Sequence, residues 1–262
     1  MKGPKIQNLT HEESDWIAVR AASAVIANGE IHDAELKMLG KHYDLMEVKD
    51  SLSARVKEVL MMVKPPQQTA LNTSLDKGVR IFRFIMQLLT CDLVMGEQDV
   101  AYALQTARLL NLGEQDARGP IKDAVSFLRL EFFFFLKGKL TQEQREWLSS
   151  MVVKAIYADG QIGPDERPYL NHLSYLLNND FVKLKQIREG FAMVAIDSID
   201  LSQYSHGDTL LIYRYLVELA LQGHAFEPKA MELVRSIGGK MALSESDMKR
   251  VQSNVLALLP LL

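Results

Sequence analysis

The sequence predicts an all-α protein, a helical bundle of four degenerate three-helix repeats forming two tandem modules. Three observations lead there. Apolar residues recur at three- and four-residue spacing through long windows, as in Trp147, Leu148, Met151, Val152, Ala155 and Ile156. No alternating strand with hairpin turn chemistry is recognisable. Finally, four segments of the chain resemble one another.

"VIANGEIHDAEL" (25–36) matches "AIYADGQIGPDE" (155–166), with Ile31 and Ile162 as the apolar anchors. Two weaker copies are "LTCDLVMGEQDV" (89–100), centred on Val94, and "LALQGHAFEPKA" (219–230), centred on Phe226. The anchor intervals are nearly equal: 94 − 31 = 63, 162 − 94 = 68 and 226 − 162 = 64. Each repeat reads as an apolar helix ending at the anchor, a tight loop, a second helix, and a short turn into a third.

The helix signals follow in chain order. "VKPPQQTALNTS" (63–74) reads as a linker between the first two repeats. "LLNLGEQDA" reads as the turn before a third helix. That helix includes Phe132, Phe133, Phe134 and Phe135, which point to every side of it. Such a run is either buried between neighbours or partly exposed as an interface. The boundary between modules is expected near "LKGKL", giving modules 1–138 and 139–262. Thr141 to Gln144 has capping-box form before the helix of Trp147. Pro168 implies that the second helix of the third repeat starts late or kinks. Pro228 suits a first helical turn. Gly238-Gly239 reads as a helix stop, and Ser244 to Asp247 as the cap of the last helix.

The segment "YADGQIGPDE" has the ending of an EF-hand loop, but its ligand positions do not fit. With Asp159 fifth, the first and third places hold Ala155 and Tyr157, neither of which offers a carboxylate. A plainer reading fits the residues: Asp159 caps, Gly160 turns the chain, Ile162 anchors, and Asp165 and Glu166 lie in the next helix's first turn.

These residues also carry a family resemblance. "ADGQIGPDE" resembles the "DG-x-I-x-x-x-E" segment of the TerB-like, tellurite-resistance family, which also occurs at the N-terminus of some J-domain co-chaperones. "ANGEIHDAE" is the same segment with Asn28 in place of the Asp, and "LLNLGEQDA" resembles the family's second loop. The resemblance implies an all-helical fold and an acidic cluster linked with divalent cations. On that basis Asp159 and Glu166, with Asp165 beside them, are the candidate metal residues. The first copy keeps Glu35. Gln98 and Ala230 close the other two copies without a carboxylate.

Other chemistry is not recognisable. The 262 residues carry a net charge of −3 and disperse their basic residues, so no nucleic-acid partner is expected. One cysteine, Cys91, allows neither an internal disulfide nor a thiolate cage. The six histidines make no close metal spacing. No phosphate loop, nucleophile elbow or paired-carboxylate motif is found. The start of the chain shows no apolar signal region, and no apolar run approaches membrane-spanning length, so a cytoplasmic protein without direct membrane insertion is expected. The leading expectation is a non-enzymatic interaction or scaffold module of a cytoplasmic assembly, with a protein partner or self-association through Phe132–Phe135. The alternative is a divalent-cation-binding stress protein.

Overall fold

The computed structural model describes residues 6, 8–27, 33–43, 49–62, 66–93, 95–158, 167–196, 198, 200–221 and 228–258; within these, the side chains of 41–43, 49–53, 129–131, 133, 167–169 and 171 are not described. Thirteen helices and no strands are found among the described residues. The first six are α1 (His11–Val25), α2 (Asp33–Tyr43), α3 (Lys49–Leu60), α4 (Leu75–Thr90), α5 (Glu97–Leu109) and α6 (Glu114–Lys139). Then come α7 (Gln142–Ile156), α8 (Arg167–Leu176), α9 (Phe181–Gly190), a 3-10 turn (Phe191–Met193), α10 (His206–Leu221), α11 (Pro228–Lys240) and α12 (Glu245–Leu258). No described helix is long and apolar enough to cross a membrane.

Two compact units are distinguished, one within Met1–Arg129 and one within Leu130–Leu259, so the division falls inside α6. In unit one, α1 packs on α2, α3 and α4, and α4 packs on α5. The two central helices bury Trp16, Ile17, Ala21, Val25, Phe82, Ile85 and Met86. In unit two, α7 packs on α8, α9, α10 and α11, and α10 on α11 and α12. Leu148, Met151, Val152, Tyr213, Leu216 and Val217 lie at the centre of its core.

Corresponding features in the two units recur at one constant offset in residue number (147 − 16 = 131). Thr10 and Thr141 both close capping boxes, with Glu13 and Gln144 as the reciprocating residues. In the second turn of each helix an indole reaches out. Trp16 donates to the Thr69 carbonyl at 3.0 Å and Trp147 to the Ile196 carbonyl at 3.2 Å; the donors keep the offset, while the acceptors differ by 196 − 69 = 127. Ser74 caps α4, and Ser205 accepts from the Asp208 amide at the start of α10. Asn111 (φ 52°) and Ala242 (φ 57°) end α5 and α11 in the left-handed region. The next amide returns to a helix carbonyl in both, Leu112 to Ala107 at 3.0 Å and Leu243 to Gly238 at 3.1 Å. These bonds satisfy carbonyls that a helix end would otherwise leave open.

Several sequence expectations meet their structure here. Thr141 and Gln144 form the expected box, Pro228 opens α11, and Pro168 lies in the first turn of α8 as described, the residues before Arg167 lying outside the described ones. Gly238-Gly239 does not stop its helix. α11 continues to Lys240, and the left-handed residue is Ala242. The glycine at 238 serves packing instead: a Cβ there would lie 2.5 Å from Met248 Sδ and 2.7 Å from the Tyr213 ring. The 63–74 linker is tied down where it is described. The Leu71 amide donates to the Leu109 carbonyl at 2.8 Å, and the Gln68 amide group to the Trp16 carbonyl at 2.8 Å. The anchors Ile31, Val94, Ile162 and Phe226 lie outside the described residues.

Candidate functional site

The phenylalanine run is the first candidate surface. It lies in the last part of α6, where helical geometry turns successive residues by about 100°. Phe132 points into the unit-two core, its ring centroid 5.5 Å from Tyr215 and 6.3 Å from Phe135. Phe135 is half-buried against the same core, with Lys139 Nζ 5.7 Å from its ring centroid. Phe134 faces outward and is 60% exposed. The side chain of Phe133 lies outside the described residues. The run therefore contributes core on one side and a single large apolar side chain to solvent on the other.

Three exposed apolar side chains around one helix–helix turn escaped the sequence reading. Tyr175 near the end of α8 and Phe181 and Val182 at the start of α9 are exposed, the latter two by 68% and 70%. Asn178 and Asn179, both left-handed at φ 58° and 61°, turn the chain between the two helices. Asp180 caps α9 by accepting from the Lys183 amide at 2.8 Å. This cap makes Phe181 and Val182 the first residues of the helix, one turn before its core-facing side begins. The same feature is absent from unit one's sequence: the positions at the same offset are Asp44, Asp50 and Ser51 (181 − 50 = 131). "FVKLKQIREG" reads as a solvated basic face, and the charges support that reading in part. Lys183 pairs with Glu146 at 3.2 Å and Lys185 with Glu189 at 3.8 Å. The signal in the sequence was the Phe-Val pair directly after an Asn-Asn-Asp turn.

The expected metal residues Asp159, Asp165 and Glu166 lie outside the described residues. Among the described residues no three His, Cys, Asp or Glu side chains converge as a metal cluster would. Glu35 is buried in α2. Cys91 follows α4 with its Sγ donating to the Leu88 carbonyl at 3.1 Å. Burial, reinforced by Asp92 and Glu35, pushes that thiol up to about 12, so at neutral pH it is protonated and unsuited to nucleophilic attack.

Two buried polar groupings in unit one were also unread. The first is a guanidinium clasp between α1 and α5. Arg20 Nε donates to Thr106 Oγ1 at 2.8 Å, and its Nη2 donates to the Tyr102 carbonyl and Gln105 Oε1 at 3.1 Å each. The Tyr102 ring lies 3.7 Å from the guanidinium carbon, and its hydroxyl donates to the Arg20 carbonyl at 2.6 Å. Burial depresses the guanidinium's pKa and raises that of Tyr102. With neutral acceptors and a ring as partners, this is a packing element between two helices. The second grouping is centred on Glu13, which joins the starts of α1 and α4. Arg20 stands in an otherwise apolar window and Glu13 in a capping box, but their partners in other segments lie far along the chain, beyond any local pattern.

Comparison with protein-family models, with curated proteins and with solved structures finds no match to this chain.

Proposed function

We propose that this chain is a non-enzymatic interaction or scaffold module, built as two tandem TerB-like modules of six helices each, with α1–α3, α4–α6, α7–α9 and α10–α12 as four three-helix repeats. The recurrence of caps, tryptophan donors and left-handed residues at one constant offset supports the tandem reading. The family assignment rests on the "ADGQIGPDE" and "LLNLGEQDA" segments. Protein interaction is carried by one observation, the apolar α8–α9 corner of Tyr175, Phe181 and Val182. Burying such side chains on association contributes roughly 1.5–3 kcal/mol each, while leaving them in water stabilises nothing. Phe134 adds a further exposed contact. The partner is a protein, either a second copy or another chain.

A photo-crosslinking amino acid at position 182, compared with one at position 51, tests this in cells expressing the full chain. Discrete crosslinked species are expected from 182 and not from 51. Equal or absent crosslinking at the two positions would remove the corner as an interface. Replacing Phe181 and Val182 together with Ser is expected to leave the melting temperature nearly unchanged. The same replacement should abolish crosslinks from a photo-reactive group placed at position 175.

A further inference from the structure

Glu13 is buried, 5% exposed, at the first turn of α1. Its carboxylate accepts bonds from three segments: the Thr10 amide at 2.8 Å, the Thr73 hydroxyl at 2.6 Å, and Lys77 Nζ at 3.0 Å and 3.2 Å on its two oxygens. Lys77 Nζ also reaches the Asn8 carbonyl at 2.8 Å. One ionised side chain thus holds the start of α1, the start of α4 and the residue before the α4 cap. At the matching place in unit two (144 − 13 = 131), Gln144 closes the junction without charge. The Thr141 amide donates to it at 2.9 Å, its own amide donates to the Asp200 carbonyl at 3.3 Å, and the Tyr204 hydroxyl donates to its oxygen. Tyr204 precedes the α10 cap as Thr73 precedes the α4 cap.

We infer that Glu13 is an acid-operated latch: protonation of its carboxylate releases the start of α4 from the start of α1 in unit one, while the junction in unit two, closed by the uncharged Gln144 with Asp208 paired to Lys139 at 3.6 Å beside it, stays closed. The proton goes to a Glu13 oxygen, which then loses the Lys77 ion pair and can no longer accept from the Thr10 amide, Thr73 and Lys77 together. Lys77 keeps its bond to the Asn8 carbonyl. Lys77 faces Glu13 from α4, and the uncharged Thr73 and Thr10 face it from the segments before α4 and α1. The titratable His11 and Glu12 stand beside it on α1, both exposed.

Burial by itself raises the Glu13 pKa, but the bonds from Thr73, Thr10 and Lys77 outweigh it and hold the group below the usual glutamate range. A carboxylate depressed in the folded state stabilises that state above its unfolded pKa. The contribution is lost as pH falls through the folded value. Gln144 has no such step. The Thr73 end of the latch lies in the segment that also receives the Trp16 indole at Thr69, so opening is reported by Trp16.

The chain has two tryptophans, one in each unit. Full-length protein labelled with 5-fluorotryptophan therefore gives two fluorine resonances, assigned with Trp147→Phe. On acid titration the Trp16 resonance is expected to shift and broaden at a higher pH than that of Trp147. Glu13→Gln is expected to move the Trp16 transition down by about one pH unit or more, toward that of Trp147. Lys77→Met, which removes the cation and keeps the carboxylate, is expected to move it up. Coincident transitions in the unsubstituted protein overturn the latch without any variant. A Trp16 transition unmoved by both substitutions overturns it as well.

Discussion

The starts of α1 and α7 are the same structure closed by different chemistry. Each has a threonine cap, a reciprocating side chain at the third helical residue and an indole bonded to the segment before the next central helix. Unit one completes the junction with an ion pair, Glu13 to Lys77, and unit two with an amide and a phenol, Gln144 to Tyr204. The contrast continues about two turns further along. Arg20, clasped by Tyr102 and Thr106, corresponds to Met151, and its partners correspond to Leu233 and Ile237 (151 − 20 = 131). Met151 and Ile237 are fully buried. Caps, indole bonds and left-handed helix ends recur in both units; the fill between the helices does not. The frame is therefore set by backbone satisfaction, and the fill decides what each unit responds to.

The strongest way to break this comparison is to exchange the fills. Met151→Arg would bury a guanidinium among apolar side chains, with no Tyr or Thr at the positions that clasp Arg20. A buried unpaired charge costs several kcal/mol, enough to unfold unit two. Arg20→Met is the milder exchange. Thr106 Oγ1 keeps its bond to the Tyr102 carbonyl at 2.7 Å, and Tyr102 keeps the Arg20 carbonyl, so few groups are orphaned. A loss of about 1–2 kcal/mol is expected. Thermal melts followed by far-ultraviolet circular dichroism separate the two cases. Equal losses would mean that the clasp and the apolar seam are not alternative fills of one frame.

Much of the frame was legible in the sequence because its signals are local. Thr141 to Gln144 and Ser244 to Asp247 lie within one turn, and Asp247 does take its amide bond to Ser244 Oγ, at 3.1 Å. The helix-period pattern gave the all-α class for the same reason. The fill was illegible because its bonds are long-range: Glu13 meets Thr73 and Lys77 from 60 and 64 residues away. Gly238-Gly239 misled because glycine marks helix ends in general, whereas here a tyrosine ring and a methionine sulfur occupy the space of a Cβ. The phenylalanine run was legible as two-sided, core at Phe132 and solvent at Phe134, while the apolar α8–α9 corner was masked by its lysines.

Gly238 offers a second, smaller test. Its counterpart in unit one is Ala107 (238 − 107 = 131), which is buried at the same hydrogen bond and tolerates its Cβ. The difference lies in the facing residue. Met248 in unit two corresponds to Ala117 in unit one, so volume removed at 238 is volume added at 248. Gly238→Ala is expected to cost about 1–3 kcal/mol by overpacking. Adding Met248→Ala to it should recover part of that loss, since the Cβ then gains the space that the sulfur held. A double-mutant cycle of denaturant unfolding measures the coupling. Strict additivity would show that the two positions do not share the space.

The smallest expected effect concerns the ends of α5 and α11. Asn111 and Ala242 both take left-handed torsions, at φ 52° and 57°, and both are exposed, so burial does not complicate the comparison. Asparagine tolerates this region better than alanine, whose Cβ crowds the carbonyl oxygen. Both positions donate their amide to a helix carbonyl, Asn111 to Arg108 at 3.0 Å and Ala242 to Gly239 at 3.1 Å, so a substitution changes torsional preference and leaves the bond in place. Ala242→Asn is expected to stabilise the protein by about 0.5–1 kcal/mol, and Asn111→Ala to destabilise it by a similar amount. Ala242→Gly should gain less than its lost strain suggests, because glycine also widens the unfolded ensemble. Opposite signs for the two exchanges, read from denaturant midpoints at unchanged slope, would place the same torsional requirement at both helix ends. Matching signs would mean that the chain holds these two residues left-handed for different reasons, and that the frame of the two units is shared in outline only.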